Sequence, residues 1–317
     1  VIQSNPGKFF AVLYGVDKME ITFHRYASPS GVTEESLRLR AFFLKRQGDD
    51  FPFGRWDWMI THGWLDHEAL GNIGIWEERG QVVGVATFDT QPGEGFICVL
   101  PGYEEFRPQM VRYAAANLCK HGKFRLLVLD SDTAFQKIAA KEGFIPTPDK
   151  EFDAVYEIKD PTKIHFAIPE GFRVIGMDEG FDVEKYGQVL WKGFNHELDG
   201  EGPLDMSESK RKQLLDEMFR PNVNLHLKIA VLAPNGDFAS YCGMWQDDAS
   251  LDALVEPVAT DPAYRSLGLG KAAVLEGVRR CGLLGARRAL VGSSQQFYYS
   301  IGFRPLNTYT WWTPGRV

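Results

Sequence analysis

A short turn near the C-terminus carries Arg265, Gly268 and Gly270, three residues whose types suit phosphate binding. The first amides of a helix have no partner within it and lie at the positive end of its dipole, so an anion placed there is stabilised. Glycine lets the backbone approach that anion closely, Arg265 offers a forked cationic donor, and Lys271 can add a point charge. The turn therefore predicts a phosphate-binding loop.

Such a loop needs a strand that ends just before it and a helix that begins just after it. Residues 251–260 are largely apolar and contain several β-branched side chains, which favours a buried strand. Val274, Val278 and Cys281 then recur with helical spacing. The sequence thus predicts the order strand, glycine turn, helix.

Two other kinds of phosphate-binding loop share this order, and both disagree with the sequence. A dinucleotide-binding loop needs an acid near the end of the next strand, where this chain has Gly292-Ser-Ser294. A Walker loop needs Ser or Thr directly after the lysine, where Ala272 stands. An ordinary glycine turn remains the alternative, and only the flanking sequence argues against it.

The flanking sequence relates the turn to a family. Arg265 to Gly270 fits the pattern Arg/Gln-x-x-Gly-x-Gly/Ala, and Phe297 to Phe303 fits the pattern Phe-Tyr-x-x-x-Gly-Phe. Together they resemble the GNAT superfamily of N-acetyltransferases, which implies that the loop binds the pyrophosphate of acetyl-CoA. The cofactor-binding residues that the resemblance implies are Val258, Ala259, Thr260, Arg265, Ser266, Leu267, Gly268, Leu269, Gly270 and Lys271.

The same resemblance implies catalytic roles for Glu256 and Tyr298. Glu256 matches a carboxylate that acts, directly or through water, as general base on the acceptor amine, because an ammonium has no free lone pair. Tyr298 matches the tyrosine that protonates the departing thiolate. A glutamate at a strand end can instead pair with an arginine, and a tyrosine on a short helix can be a core residue, so these alternatives stay open. The fallback bases are Asp247, Asp248 and Asp252.

Pro257 predicts a break in the strand that carries Glu256, because proline cannot donate a hydrogen bond to a sheet. In the GNAT fold this strand and the next diverge, and the acetyl-pantetheine arm enters the gap. The resemblance therefore implies direct transfer at this point. A route through an acetylated Cys242 or Cys281 is disfavoured, because neither has an adjacent His or Lys to activate its thiol.

Composition excludes several classes of protein. The 317 residues, 44% hydrophobic and 24% charged, fit a globular protein of two domains. No apolar run approaches the ~20 residues of a membrane helix, and four dispersed cysteines suit neither zinc nor disulfides. We expect no membrane, no metal and a cytoplasmic location. A net charge of −7 argues against nucleic acid and favours a cationic acceptor.

Internal similarity predicts two copies of one α/β unit. The segment around Gly80 recurs around Gly236, and Lys141-Glu-Gly-Phe144 recurs as Ser300-Ile-Gly-Phe303 at nearly the same spacing. We therefore predict an α/β fold of two tandem GNAT-like domains, residues 1–160 and 161–317. Each is expected to have a mixed, mostly antiparallel central sheet flanked by helices.

The two copies are not equivalent. Where the first should carry its phosphate loop it has Pro101 to Pro108, with Glu104 and Glu105 where phosphates would lie. Like charges there repel acetyl-CoA, and Ala139 replaces the tyrosine. We infer that the N-terminal copy has lost cofactor binding and serves as a scaffold or as a wall of the acceptor site.

The acceptor is expected to contact the acidic, aromatic segment from Trp191 to Asp205, although a solvated loop fits this segment better. His196 is a weak candidate there, and the tryptophans are expected to fill cores or the domain interface. The predicted function is direct acetyl transfer from acetyl-CoA to a primary amine of a small molecule or peptide, by a monomer or homodimer. The alternative is a non-catalytic acyl-CoA-binding or interaction protein.

Overall fold

The computed structural model describes residues 20–29 and 31–315, and in them the strands form one mixed sheet. The strands are β1 (Ile21–Arg25), β2 (Gly74–Glu78), β3 (Gln81–Thr87), β4 (Glu94–Val99), β5 (Arg125–Leu129), β6 (Phe144–Glu157), β7 (Arg173–Gly176), β8 (Lys228–Leu232), β9 (Phe238–Trp245), β10 (Asp252–Thr260), β11 (Arg288–Val291) and β12 (Arg304–Pro314).

Helices cover both faces of this sheet. They are α1 (Glu34–Arg46), α2 (Phe53–Thr61), α3 (Arg107–Asn117), α4 (Thr133–Lys141), α5 (Met177–Gly180), α6 (Val183–Gly193), α7 (Glu208–Met218), α8 (Leu269–Leu283) and α9 (Gln296–Ser300). Within the described residues, no helix combines the length and the apolar character needed to cross a membrane.

The sheet repeats one order of strands twice. Strands β1 to β4 are consecutive antiparallel neighbours and β5 pairs parallel with β4, and β7 to β11 repeat this arrangement from the opposite edge. We name residues up to 160 the N-terminal half and residues from 161 the C-terminal half. The predicted α/β fold of two tandem units with mostly antiparallel pairing is confirmed.

The last strand of each half lies in the other half's part of the sheet. β12 pairs with β5, β6 pairs with β11, and β6 and β12 pair with each other between them. One continuous sheet therefore spans both halves, so neither half can separate without breaking backbone hydrogen bonds. The sequence did not predict this exchange, and the boundary at 160 and 161 stays a prediction.

Helix α2 brings the N-terminal half against the strands of the C-terminal half. A Cβ atom added at Gly54 would lie 2.8 Å from the Leu254 Cβ and 3.1 Å from the Trp245 Cβ, so only glycine permits this approach. The backbone N–H of Gly63, just beyond α2, donates to the Glu217 carboxylate at 2.8 Å. These contacts hold α2 beside β9, β10 and α7, where the sequence had placed no element.

Candidate active site

Strand β10 loses its regular pairing with β9 at Glu256 and Pro257. Val255 lies opposite Met244, but the next paired residue is Val258, opposite Cys242. The Glu256 carbonyl, displaced from the ladder, accepts a hydrogen bond of 2.9 Å from the Trp245 indole N–H. The predicted break at Pro257 is confirmed, and it lies beside the candidate base.

Strand β10 also separates from β11 just before this break. The two pair in parallel only from Asp252 to Leu254. The Asp261 N–H donates to the Ala239 carbonyl of β9 at 3.0 Å, so by strand alternation the N–H groups of Val258 and Thr260 point to the open side. These N–H groups therefore face away from β9, and the binding of a cofactor along this edge stays a prediction.

The glycine turn leads from that edge to the first turn of α8. Gly268 immediately precedes the helix with a φ of +80°, a conformation that favours glycine, and a Cβ atom there would meet open space. Arg265 donates to the carbonyl of Gly193 at 3.0 Å and to the Asn195 side chain at 2.6 Å. Arg265 thus also ties the turn to the end of α6, while its side chain stays exposed.

The remaining residues implied to bind the cofactor follow the same path along the chain. Ser266 has a φ of +66°, and Leu267 is exposed. Leu269 is buried in the core under α8, whereas Lys271 is exposed on the first turn of the helix. The side chains of these residues differ in burial, and most of them are apolar or small. The groups that could contact phosphate are therefore the backbone amides and the side chains of Arg265 and Lys271.

Glu256 is held by an arginine from the N-terminal half. Arg55 on α2 lies 3.2 Å from the Glu256 carboxylate, donates from Nε to Asp89 at 3.0 Å, and lies 4.4 Å above the Trp58 ring. Burial raises the pKa of Glu256, Arg55 opposes that shift, and Asp89 adds to it. The alternative of a paired glutamate is therefore realised, and the raised pKa makes this carboxylate a stronger base than an ordinary glutamate.

Tyr298 is buried on α9 against the rings of Phe297 and Phe303. Burial raises its pKa, and the charge of Glu256 contributes to the same shift. The hydroxyl is therefore protonated at neutral pH and can act as a donor. The core alternative therefore holds for this ring, and its role as a proton donor stays a prediction.

The cysteines and the fallback carboxylates lie in settings that weaken their candidacy. Cys242 and Cys281 are fully buried, and burial raises the pKa of both thiols, that of Cys281 to about 12. Asp252 forms an ion pair with Arg288 at 2.6 Å, and Asp247 forms one with Arg40 at 2.8 Å. Within residues 20–29 and 31–315, no group of His, Cys, Asp or Glu is arranged to hold a metal ion.

A cavity of about 430 Å³ opens beside Glu256 and Pro257, under α6 and α7. Its wall includes Trp191, Phe194 and His196 from the segment predicted to contact the acceptor. The sequence missed the residues that α2 and its following loop contribute to this wall, which are Trp58, Thr61, His62 and Trp64. Two tryptophans expected to fill a core or an interface, Trp58 and Trp64, thus line a cavity.

The equivalent loop of the N-terminal half is closed by its own acid. The Gly102 N–H donates to the Glu104 carboxylate at 3.0 Å, at the position where the other loop offers amides to an anion. Ala139, which replaces the tyrosine, is fully buried on α4. These contacts agree with the inference that this copy does not bind the cofactor.

Comparison with known proteins places residues 191–303 in the family described as the acetyltransferase (GNAT) family. A tandem GNAT protein from the clavulanic acid biosynthesis pathway is similar in structure, with a TM-score of 0.60 and 14% identity over 94% of this chain and 100% of its own. A GCN5-related N-acetyltransferase from Sphaerobacter thermophilus has a TM-score of 0.56 and 13% identity over 93% of this chain and 97% of its own.

A third solved structure, a GNAT-family acetyltransferase from Colwellia psychrerythraea, gives a TM-score of 0.53 and 10% identity over 93% of this chain and 99% of its own. No curated protein matches the sequence. At such low identity the structural similarity shows the shared fold, while the matched family covers the glycine turn, Glu256 and Tyr298.

Proposed function

We propose that this chain is a tandem GNAT-family acyltransferase and that it transfers the acetyl group of acetyl-CoA directly to a primary amine. The break in β10 carries this proposal, because it places Glu256 beside an open strand edge that leads to the glycine turn.

We propose that the pyrophosphate lies at the first turn of α8, with Arg265 and Lys271 supplying positive charge. The pantetheine arm follows the open edge, where the N–H groups of Val258 and Thr260 serve as donors. Backbone donors near the break also stabilise the oxyanion of the tetrahedral intermediate, an effect of about 3 kcal/mol per donor. This arrangement needs no group from the N-terminal loop.

The proposed chemistry has three steps. Glu256 removes a proton from the acceptor ammonium, directly or through water, and the free amine attacks the thioester carbonyl. The tetrahedral intermediate loses the second proton of its nitrogen to solvent and collapses with cleavage of the carbon–sulfur bond. Tyr298 donates its proton to the departing thiolate and regains one from solvent, so the products are the amide, CoA and one released proton.

Isothermal titration with acetyl-CoA tests the donor, and thiol release across a panel of amines tests the transfer. We expect binding by the wild type and loss of thiol release in Glu256→Gln with acetyl-CoA binding retained. No binding would refute the proposed donor. Binding without turnover of any amine would favour the alternative, a non-catalytic acyl-CoA-binding protein.

A further inference from the structure

We propose that the cavity beside Glu256 binds an acceptor whose primary amine is carried by an aromatic or similarly flat apolar body, and that the N-terminal half selects it through Trp58 and Trp64. This inference rests on the proposed function for the identity of the transferred group. It names the class of acceptor, which neither the family nor the fold defines.

The size and composition of the cavity support this class. Its volume of about 430 Å³ falls within the ~300–1,000 Å³ of small-molecule sites. Most of its wall is apolar, and aromatic rings from both halves line it, among them Trp58, Tyr186, Trp191 and Trp245. An aromatic acceptor would gain contact area from all of these rings, whereas a hydrated polar one would lose its water without new partners.

The rings contributed by the N-terminal half are held in place by their neighbours. The Trp58 ring lies 4.3 Å from the His62 ring and beneath the Arg55 guanidinium. The His62 ring in turn lies 5.5 Å from the Trp64 ring, edge to face. It also accepts a hydrogen bond of 3.1 Å from the backbone N–H of Trp64. Trp64 is nonetheless 60% exposed, so a large apolar ring stands at the cavity with one side free.

Rings from the C-terminal half are fixed in a similar way. The Trp191 ring stacks on the His196 ring at 4.1 Å, and its indole N–H donates to the Gly202 carbonyl at 2.9 Å. The nearby Phe194 is 47% exposed and also lines the cavity. The site is therefore formed before a ligand arrives, which reduces the entropy lost on binding.

The charges in the wall favour a single amine over a polycation. Glu256 lies 3.2 Å from Arg55, and Glu217 accepts hydrogen bonds from the Gly63 N–H at 2.8 Å and the Gln213 side chain at 3.1 Å. Lys228 is fully buried, donates to the Met244 carbonyl at 2.9 Å and lies 3.3 Å from the Trp245 ring centre, and burial lowers its pKa to about 7. A second ammonium on the acceptor would have to compete with these existing partners and would be desolvated at high cost.

A second cavity on the other side of Glu256 is lined by carboxylates and would suit a polyamine, but these acids already have partners. Asp49 pairs with Arg288 at 3.2 Å, and Asp153 accepts a hydrogen bond of 2.6 Å from the Tyr309 hydroxyl. The other acids are also paired: Asp50 with Arg46, Asp89 with Arg55, Glu94 with Arg125, and Glu151 with Trp311. Four of these acids pair with arginines, so a polyamine bound there would have to compete with ion pairs that already exist.

The test measures acceptor binding separately from turnover. The wild-type protein, alone and saturated with CoA, is titrated with 2-phenylethylamine, propylamine and spermidine. We expect 2-phenylethylamine to bind about 10- to 100-fold more tightly than propylamine, because its ring is buried, and spermidine to bind no better than propylamine. Tighter binding of spermidine, or equal binding of the two monoamines, would overturn the proposal.

Two variants locate the binding. Trp64→Ala removes an exposed ring that the fold does not need and is expected to weaken 2-phenylethylamine binding about tenfold, without affecting propylamine. Phe23→Ala, which removes a partly exposed ring distant from the cavity, is the control and should change neither. Unaltered 2-phenylethylamine binding in Trp64→Ala contradicts the inference. If selective binding is seen without thiol release, the proposed transfer fails while the assigned ligand class stands.

Discussion

Strands β4 and β10 occupy equivalent places in the two halves, but only one of them has the features of an active site. β4 pairs with β3 without interruption from Phe96 to Val99, and the chain there is apolar. β10 is interrupted at Glu256 and Pro257, so a carboxylate and an open edge appear where β4 has a closed ladder. One proline and one acid thus separate a structural strand from a candidate catalytic one.

The loops that follow β4 and β10 also differ, because only the second one has features that suit phosphate binding. Gly102 and Gly268 both have positive φ values, +91° and +80°, so the two turns have related backbones. Glu104 takes the amide that an anion would need in the first loop, whereas Arg265 and Lys271 flank the second. The two loops thus share a positive-φ glycine, and the sign of the nearby charge distinguishes the loop for which we propose phosphate binding.

The largest expected effect comes from removing the acid that β4 lacks. Glu256→Gln keeps the shape of the side chain but not the base, so kcat should fall about 10²- to 10⁴-fold with little change in acetyl-CoA affinity. Thiol-release kinetics and calorimetric titration measure the two quantities. In the wild type, kcat/KM should rise with pH through a pKa above the ordinary glutamate value, because burial raises it and the base must be deprotonated.

Glu151→Gln, at an exposed position on β6, is the control for Glu256→Gln. If Glu256→Gln kept the wild-type kcat and the same acidic limb of the pH profile, Glu256 would not be the general base. The difference between β4 and β10 would then have no role in catalysis.

The next effect comes from giving the second loop the acid of the first. Gly268→Glu strains a residue with positive φ and places a carboxylate beside the phosphates, so acetyl-CoA should bind about 100-fold more weakly in calorimetric titration. Gly102→Glu is a matched control, because a Cβ atom at either glycine meets open space and both φ values are positive. Equal losses in the two variants would show that the loops do not differ in function.

A smaller effect is expected from Tyr298→Phe. This change removes the hydroxyl, which is also absent from Ala139, the equivalent residue of the N-terminal half. A thiolate is a good leaving group, since an ordinary thiol has a pKa of about 8.5, so loss of the donor should lower kcat only about tenfold with KM unchanged. Steady-state kinetics measure this. Tyr299→Phe, one residue along α9, should retain full activity, and a similar loss in both variants would indicate a packing effect.

The smallest effect tests the link between the halves. Arg55→Lys keeps the charge but weakens the hold on Glu256, so the pKa of Glu256 should rise further and the acidic limb of kcat/KM should move to higher pH. The activity lost at low pH should return at high pH, which a purely structural role would not produce. A uniform loss of kcat/KM at every pH would show that Arg55 has only a structural role.

Local sequence signals predicted much of the candidate site. Helical periodicity and glycine placement predicted α8 and its preceding turn, and Pro257 predicted the break in β10, because these features depend on neighbours along the chain. The α2 helix, with Arg55, was missed. Its contributions to the site come from packing against β9 and β10, and nothing in its own sequence identifies those partners.

The sequence by itself determined the two repeated units, the glycine turn, and the inequality between the loops at Gly102 and Gly268. Tertiary structure decided the exchange of β6 and β12, the pairing of Arg55 with Glu256, and the aromatic cavity formed by both halves. Backbone hydrogen bonds between strands depend little on which side chains the strands carry. Either terminal strand can therefore complete either half of the sheet. Residues far apart in the chain became one site only when the shared sheet brought them together.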